Sequence, residues 1–315
     1  KISDVPQIDV GLHCERPFGI AQSVDDCIRE IEVVIDTKTD VVVRKPFMCL
    51  SRVARGGKTS FLLLLHAELK ELRYNVIFIS FNGISNFDRI EGESLEQALF
   101  RVIVQQLVSA DDKWTGIRKC DWDGLNTYIG TSRFVLLIDE LNGLGVPVCS
   151  GIANILKKYF IDPYGRYAVA TTHVPLTLDG KQNLWSNSTT SKREWKTVDV
   201  QLTTSLQQLR DMDNKLQALT ARSAALFCMI PSLVYCYGGE LTSSIGYVSL
   251  CNLRKMRDDS EFVNFIRAFM SGEYDSDVDD FLKFSVVTSQ YAIRWPLCFV
   301  VGILQTFNNI RQLVL

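Results

Sequence analysis

Net charge is nearly absent from this chain. The 34 Lys and Arg against 36 Asp and Glu leave a formal net charge of -2 at pH 7. That excludes a global electrostatic pull toward nucleic acid or an anionic membrane. Paired cysteines are also absent: the nine cysteines are scattered, odd in number, and none falls in a Cys-x-x-Cys pattern. This argues against a zinc site and favours a reducing compartment. Cys49, Cys228 and Cys298 lie in apolar runs, where a free thiol behaves as a small hydrophobe. Long apolar runs are missing too. Residues 296–304 form an apolar stretch, but it is too short to span a bilayer, so no membrane partner is expected. There is no internal repeat and no low-complexity tract. The opening Lys1-Ile2-Ser3-Asp4 has no signal-peptide character and no Met. A trimmed chain is expected, with any targeting segment outside it.

What is present suits one large or two medium globular domains: 315 residues, 47% of them hydrophobic. The most informative segment is Ser51-Arg52-Val53-Ala54-Arg55-Gly56-Gly57-Lys58-Thr59-Ser60, directly after the apolar Phe47-Met48-Cys49-Leu50. This reads as strand, tight loop and helix start. Such a loop turns its backbone N–H groups around phosphates. Lysine neutralises the β and γ phosphates, and the threonine hydroxyl ligates Mg²⁺. The helix dipole adds to the site. Residues Arg55 to Ser60 are therefore the candidate nucleotide contacts, with Lys58 central. The pattern departs from Gly-x-x-x-x-Gly-Lys-Thr, because Arg52 holds the first glycine position.

A second segment supports the first. Phe134-Val135-Leu136-Leu137-Ile138 reads as a strand buried on both faces, and it ends in Asp139-Glu140. Charges are rarely buried unpaired, so packing does not account for two carboxylates at that strand tip. Asp139 can hold the water shell of Mg²⁺ together with Thr59. Glu140 can orient and polarise an attacking water. The structural alternative is a strand ending in a solvated turn.

Hydrophobic periodicity places these segments in a longer alternation. Helices are expected over 23–34, with Ser23 as N-cap, and over 58–72, 94–108 and 152–160. Ser94 followed by Gln97 has the form of a capping box. Strands are expected over 47–50, 75–81, 134–138, 167–171 and 198–202. Strands alternating with helices imply a mostly parallel α/β sheet covered on both faces. The polar stretch 178–196 reads as a loop. Beyond Thr203 the pattern favours helices, over 205–212, 216–228, 247–256, 261–270, 278–287 and 297–313, without strands between them. Three parts follow: a lead segment over 1–45, a nucleotide-binding core over 46–203, and an α-helical domain over 204–315. The acidic run 275–280 reads as a helix cap with a solvated first turn rather than a metal site.

The phosphate-loop strand comes first, the Asp-Glu strand third, and Ala168-Val169-Ala170-Thr171-Thr172-His173 fourth. This order resembles the additional-strand, catalytic-glutamate P-loop NTPases, which include the AAA+ and STAND ATPases. The resemblance implies that the fourth strand lies between the first and third. It also implies a polar sensor of the γ-phosphate at that strand's tip, a position matched by Thr171 or Thr172. His173 is the third choice for that position, and an ordinary loop histidine is the preferred reading of it. The helical remainder resembles the lid of those ATPases. Ile230-Pro231-Ser232-Leu233 is similar to their Gly-x-Pro adenine contact, which makes Pro231 a candidate, although Met229 stands where glycine belongs.

A narrower resemblance covers residues 47–233. The Ser51-Arg52-x-x-Arg55-Gly56-Gly57-Lys58-Thr59 loop and Leu136-Leu137-Ile138-Asp139-Glu140-Leu141-Asn142 resemble the NTPase domains of Crinkler and retrotransposon-hot-spot proteins. Leu202-Thr203-Thr204-Ser205-Leu206 fits the same pattern. The resemblance implies Mg²⁺-dependent hydrolysis of ATP or another NTP, serving as switch or motor for an attached or partner module. In that family the module is often a nuclease, through which DNA becomes a partner. It also implies an intracellular site in cytoplasm or nucleus, or delivery into a host cell as an effector. Glu194-Trp195-Lys196 has a nuclease-like Glu-x-Lys form, but so does Glu68-Leu69-Lys70 inside a helix. A nuclease is expected outside this chain or not at all.

Arg55 has two readings. Its guanidinium stabilises charge on the transferred phosphoryl group, or it braces a glycine-poor loop against a carboxylate. For Arg52, at the strand end, bracing is the reading. The altered loop also supports a rival function, a degenerate nucleotide-binding scaffold for protein interaction. Lys181, Lys192, Arg193 and Lys196 with Trp185 and Trp195 offer a third, nucleic-acid binding by a basic, stacking loop. A solvated loop is the simpler account of those residues.

Overall fold

The computed structural model describes residues 19–37, 44–51, 57–81, 90–107, 121–144, 150–173, 195–200, 203, 205–221, 224, 267, 286–287 and 293–294. Chain order opens with helix α1 (Ile20–Ile35), strand β1 (Phe47–Ser51), helix α2 (Lys58–Glu71) and strand β2 (Asn75–Ser80). Helices α3 (Leu95–Leu107) and α4 (Trp122–Ile129) precede strand β3 (Phe134–Asp139). A 3-10 turn (Leu141–Leu144) leads to helix α5 (Ser150–Leu156), which runs into a π-turn (Lys157–Ile161). Strands β4 (Arg166–Thr172) and β5 (Trp195–Thr197) and helix α6 (Leu206–Met212) follow.

The sheet has the order β2-β3-β4-β1-β5. Its pairings are all parallel. The fourth strand therefore lies between the first and third, as the resemblance to the additional-strand NTPases implied. Side chains alternate between faces along each strand, and both faces are apolar. Phe47, Cys49, Ile77, Ile79, Leu136 and Ile138 point to the side covered by α3, α4 and α5. Met48, Leu50, Val76, Phe78, Val135 and Leu137 point to the side covered by α1 and α2. Continuous apolar strands arise because neither face meets water. In α1 the buried Ile20, Val24, Cys27, Ile31 and Ile35 recur at helical spacing. Each such buried aliphatic side chain contributes about 1.5–3 kcal/mol.

Two buried cations tie the sheet's lower edge to its covering helices. Lys45 is 1% exposed. Its ammonium donates to the carbonyls of Ile35 (3.1 Å), Pro163 (2.8 Å) and Arg166 (3.1 Å). The Arg166 guanidinium donates to the carbonyls of Asn126, Gly130 and Tyr159, each at 2.9 Å, and so anchors the end of α4. Cys27 and Cys49 are buried free thiols. Burial raises the pKa of both, so they act as packing groups.

Several expectations are corrected. Ser23 is not an N-cap: α1 begins at Ile20 behind Gly19. The Ser23 hydroxyl lies 2.8 Å from both the Gly19 and Asp199 carbonyl oxygens, which fastens α1 to the chain after β5. The fifth strand occupies Trp195–Thr197 rather than 198–202. Pairing with β1 set its place there, because a short edge strand is fixed by its partner rather than its own pattern. Helix α4 was not foreseen, although Asp121 caps it by accepting from the Gly124 N–H at 2.8 Å. Past Thr203 the chain is not purely helical. Strands β6 (Val286–Val287) and β7 (Ile293–Arg294) pair antiparallel. The Ser94–Gln97 capping box forms as expected, with both bonds made. The helix expected over 216–228 does not start at Leu216: a 3-10 turn (Asn214–Leu216) ends there, 217–220 are turn and irregular chain, and Ala221 and Ala224 are helical. The end of the helix expected over 278–287 is strand β6 instead. Arg267, within the helix expected over 261–270, is helical. The remaining residues of the helices expected beyond α6, and the acidic run, lie outside the described residues.

Candidate functional site

Parallel pairing brings the C-terminal ends of the strands to one edge of the sheet. Ser80 closes β2, Asp139 closes β3, and Thr171 and Thr172 close β4. Helix α2 starts at this edge, so its dipole and first-turn N–H groups face the same place. Its N-cap, Gly57, has φ 84°. A Cβ at Gly57 would come 3.3 Å from Ile20 Cδ1. Backbone sign and space both ask for glycine there.

The chemistry-bearing side chains meet at this edge. Lys58 is only 4% exposed, and its Nζ lies 3.1 Å from Glu140 Oε1. The Thr59 hydroxyl donates to Asp139 Oδ2 at 3.0 Å. Ser80 donates to the same oxygen at 3.1 Å. Thr171 donates to Asp139 Oδ1 at 2.7 Å and accepts the Glu140 N–H at 3.2 Å. Asp139 is thus fully buried yet bonded by three hydroxyls. Burial raises its pKa, and the Thr171 hydrogen bond opposes that rise.

Glu140 behaves differently. Burial pushes its pKa up, but the His173 hydrogen bond and the Lys58 charge outweigh it, holding the carboxyl down at about 2. At 3.1 Å the Lys58–Glu140 attraction is about 5 kcal/mol before desolvation, for an effective dielectric of about 20. Glu140 also has φ 57°, in the left-handed region that a non-glycine residue enters only when held there. The chain turns sharply at Glu140 out of β3 into the 3-10 turn, and its side chain enters the cluster.

His173 is a residue that sequence reading ranked too low, behind Thr171 and Thr172 for the sensor position. It is not an ordinary loop histidine: its Nδ1 lies 3.0 Å from Glu140 Oε2. The available signal was its position directly after β4, beside the tip of β3. Thr171 joins the cluster through Asp139, whereas Thr172 donates to Asn142 Oδ1 at 2.9 Å. Ser80 was missed, although a polar residue closing an apolar strand was a visible sign. Ser60 lies half-buried in the first turn of α2. Arg52, Arg55, Gly56 and Pro231 lie outside the described residues.

Lys58, Thr59, Asp139 and Glu140 therefore converge from the head of α2 and the end of β3. The site offers one ammonium, one carboxylate held ionised by its partners, and hard oxygen donors at Thr59 and Asp139 of the kind that suit Mg²⁺. Among the described residues no helix is long and apolar enough to cross a membrane.

No protein-family model matches the chain, and no curated protein matches it. Similar solved structures include PCH-2 of C. elegans, at 13% identity and TM-score 0.35, matching over 69% of this chain and 48% of that one. The Aeropyrum pernix Orc1 protein, solved in complex with DNA, matches at 10% identity and TM-score 0.38, over 98% of this chain and 97% of that one. Cdc6p from Pyrobaculum aerophilum matches at 12% identity and TM-score 0.43, over 99% and 97%. The chain thus spans less than half the length of PCH-2. The fold rests on the chain's own strand order and loop-to-helix junction rather than on likenesses of this size. It is an α/β P-loop NTPase fold with the additional strand between the first and third.

Proposed function

We propose that this chain binds and hydrolyses ATP, or another NTP, at the edge where α2 meets β3. The convergence of Lys58 and Thr59 with Asp139 and Glu140 carries this reading. Phosphates would dock on the loop ending at Gly57 and on the first turn of α2. Lys58 would exchange Glu140 for the more highly charged phosphates, which frees Glu140 Oε1. Glu140, ionised near neutral pH, is then available to take a proton from an attacking water. Thr59 and Asp139 are the residues that would hold Mg²⁺, which would supply neutralisation of phosphate charge. Thr171, bonded to Asp139 and to the Glu140 backbone, is the proposed sensor at the β4 tip. Arg55 is proposed to add positive charge to the transferred phosphoryl group, and Pro231 to contact the base.

Residues 46–203 form the proposed catalytic core and 204–315 a second domain. By resemblance, the whole would act as the NTPase module of a Crinkler-like or retrotransposon-hot-spot-like effector, a switch or motor for an attached or partner module such as a nuclease. DNA would be reached through that partner. The test is phosphate release from ATP with Glu140→Gln as control. The amide is nearly isosteric but cannot serve as base. Turnover in the wild type, retained ATP binding in the variant and loss of its turnover are expected. Equal rates in the two proteins would refute the assignment. ATP binding without turnover in the wild type would instead support the scaffold reading.

A further inference from the structure

The geometry points to Asn142 and His173 as positioning residues that hold the Glu140 carboxylate in one orientation toward the phosphate loop. The inference rests on the reading of Glu140 as the base. A carboxylate has two oxygens, and here they have different partners. Oε1 faces Lys58 at 3.1 Å, and Oε2 faces His173 Nδ1 at 3.0 Å. An ionised carboxylate only accepts hydrogen bonds, so Nδ1 is the donor. When Lys58 turns to phosphate, Oε1 is released for proton transfer. Oε2 stays on the imidazole, and the side chain keeps its direction. A base must be held within hydrogen-bond reach of its proton, and Glu140 alone has three side-chain torsions to fix.

His173 is itself held. The Asn142 side-chain carbonyl accepts the Thr172 hydroxyl at 2.9 Å and the His173 N–H at 3.4 Å. Asn142 sits two residues past Glu140 in the 3-10 turn. It therefore ties the turn that carries Glu140 to the β4 end that carries His173. Gly143 in that turn packs closely on Phe81, where a Cβ on the glycine would come 2.5 Å from Phe81 Cβ. The relay runs from Asn142 to the backbone of His173, and from the His173 ring to Glu140.

The test measures kcat, KM and ATP affinity for the wild type and for His173→Ala, His173→Asn, Asn142→Ala and the Ala/Ala double variant. The asparagine amide nitrogen takes the place of Nδ1. His173→Ala is expected to lower kcat about ten- to a hundredfold with ATP affinity nearly unchanged, as for a misplaced catalytic group. His173→Asn should recover most of that loss. Asn142→Ala should lower kcat less, and the double variant should be no slower than His173→Ala alone, because the two act through one contact. An additive double variant would overturn the relay, as would His173→Ala with wild-type kcat or with losses confined to ATP affinity. A wild type without turnover would instead overturn the base assignment on which the relay rests. Melting curves without nucleotide show whether each variant folds, and His173→Asn carries the test if an alanine variant does not.

Discussion

Lys58 Nζ lies 3.1 Å from Glu140 Oε1, so the lysine at the head of α2 and the carboxylate after β3 are ion partners. On the proposed reading, phosphate binding would exchange one anion for another at a nearly buried ammonium. Removing either partner would leave the other buried charge without this counter-charge.

Lys58→Ala should weaken ATP binding at least about tenfold, or roughly 1.4 kcal/mol. It should also destabilise the protein without nucleotide, since Glu140 loses its cation. Calorimetric titration reads the first effect and thermal unfolding the second. Unchanged ATP affinity in a folded variant would sink the assignment of this loop.

Glu140 makes stability depend on acid pH. Its pKa falls from 4.5 to about 2 in the folded chain. A depressed carboxyl contributes stability that is present above 4.5 and lost as pH falls toward about 2. Asp139, with a raised pKa, acts in the opposite sense, so the wild type alone reports a sum. Glu140→Gln isolates the first contribution. It should be less stable than wild type near neutral pH by roughly 1.5–3 kcal/mol, the worth of hydrogen bonds to a charged group. The gap should close as pH falls through that window. Urea unfolding across the acid range measures it, and a gap independent of pH would show that the ion contacts do not set the difference.

Arg55→Ala discriminates the two readings of the loop arginine. A group that acts on phosphoryl charge should lower turnover strongly and leave the melting temperature without nucleotide nearly unchanged. A bracing arginine should do the reverse, because its carboxylate partner is left unpaired. We expect the first outcome, from turnover and melting curves measured side by side.

Gly57→Ala should be destabilising. Position 57 has φ 84°, and the new Cβ would press on Ile20 Cδ1 at 3.3 Å. Placing an L-residue in the left-handed region costs about 1–2 kcal/mol. ATP affinity should fall as well, since the loop-to-helix junction must shift. A melting temperature and affinity equal to wild type would show that the junction tolerates another backbone angle.

By itself the sequence determined the α/β class, the first four strands and the choice of Lys58, Thr59, Asp139 and Glu140 as candidate site residues. These features are written locally. Continuous apolar runs mark strands buried on both faces, and a charge that ends such a run marks a site. The Ser94–Gln97 capping box was legible for the same reason, since both of its bonds span three residues. Tertiary structure alone decided what depends on distant partners. It placed β5 at Trp195–Thr197 through pairing with β1. It put Ser23 against Asp199 rather than at a helix cap. It also brought His173 to Glu140 and joined Ser80, Thr59 and Thr171 on one carboxylate. Hydrogen-bond partners at the tips of three parallel strands are set by strand order, and the residues they join are 31 or more positions apart along the chain. No local pattern can encode that choice.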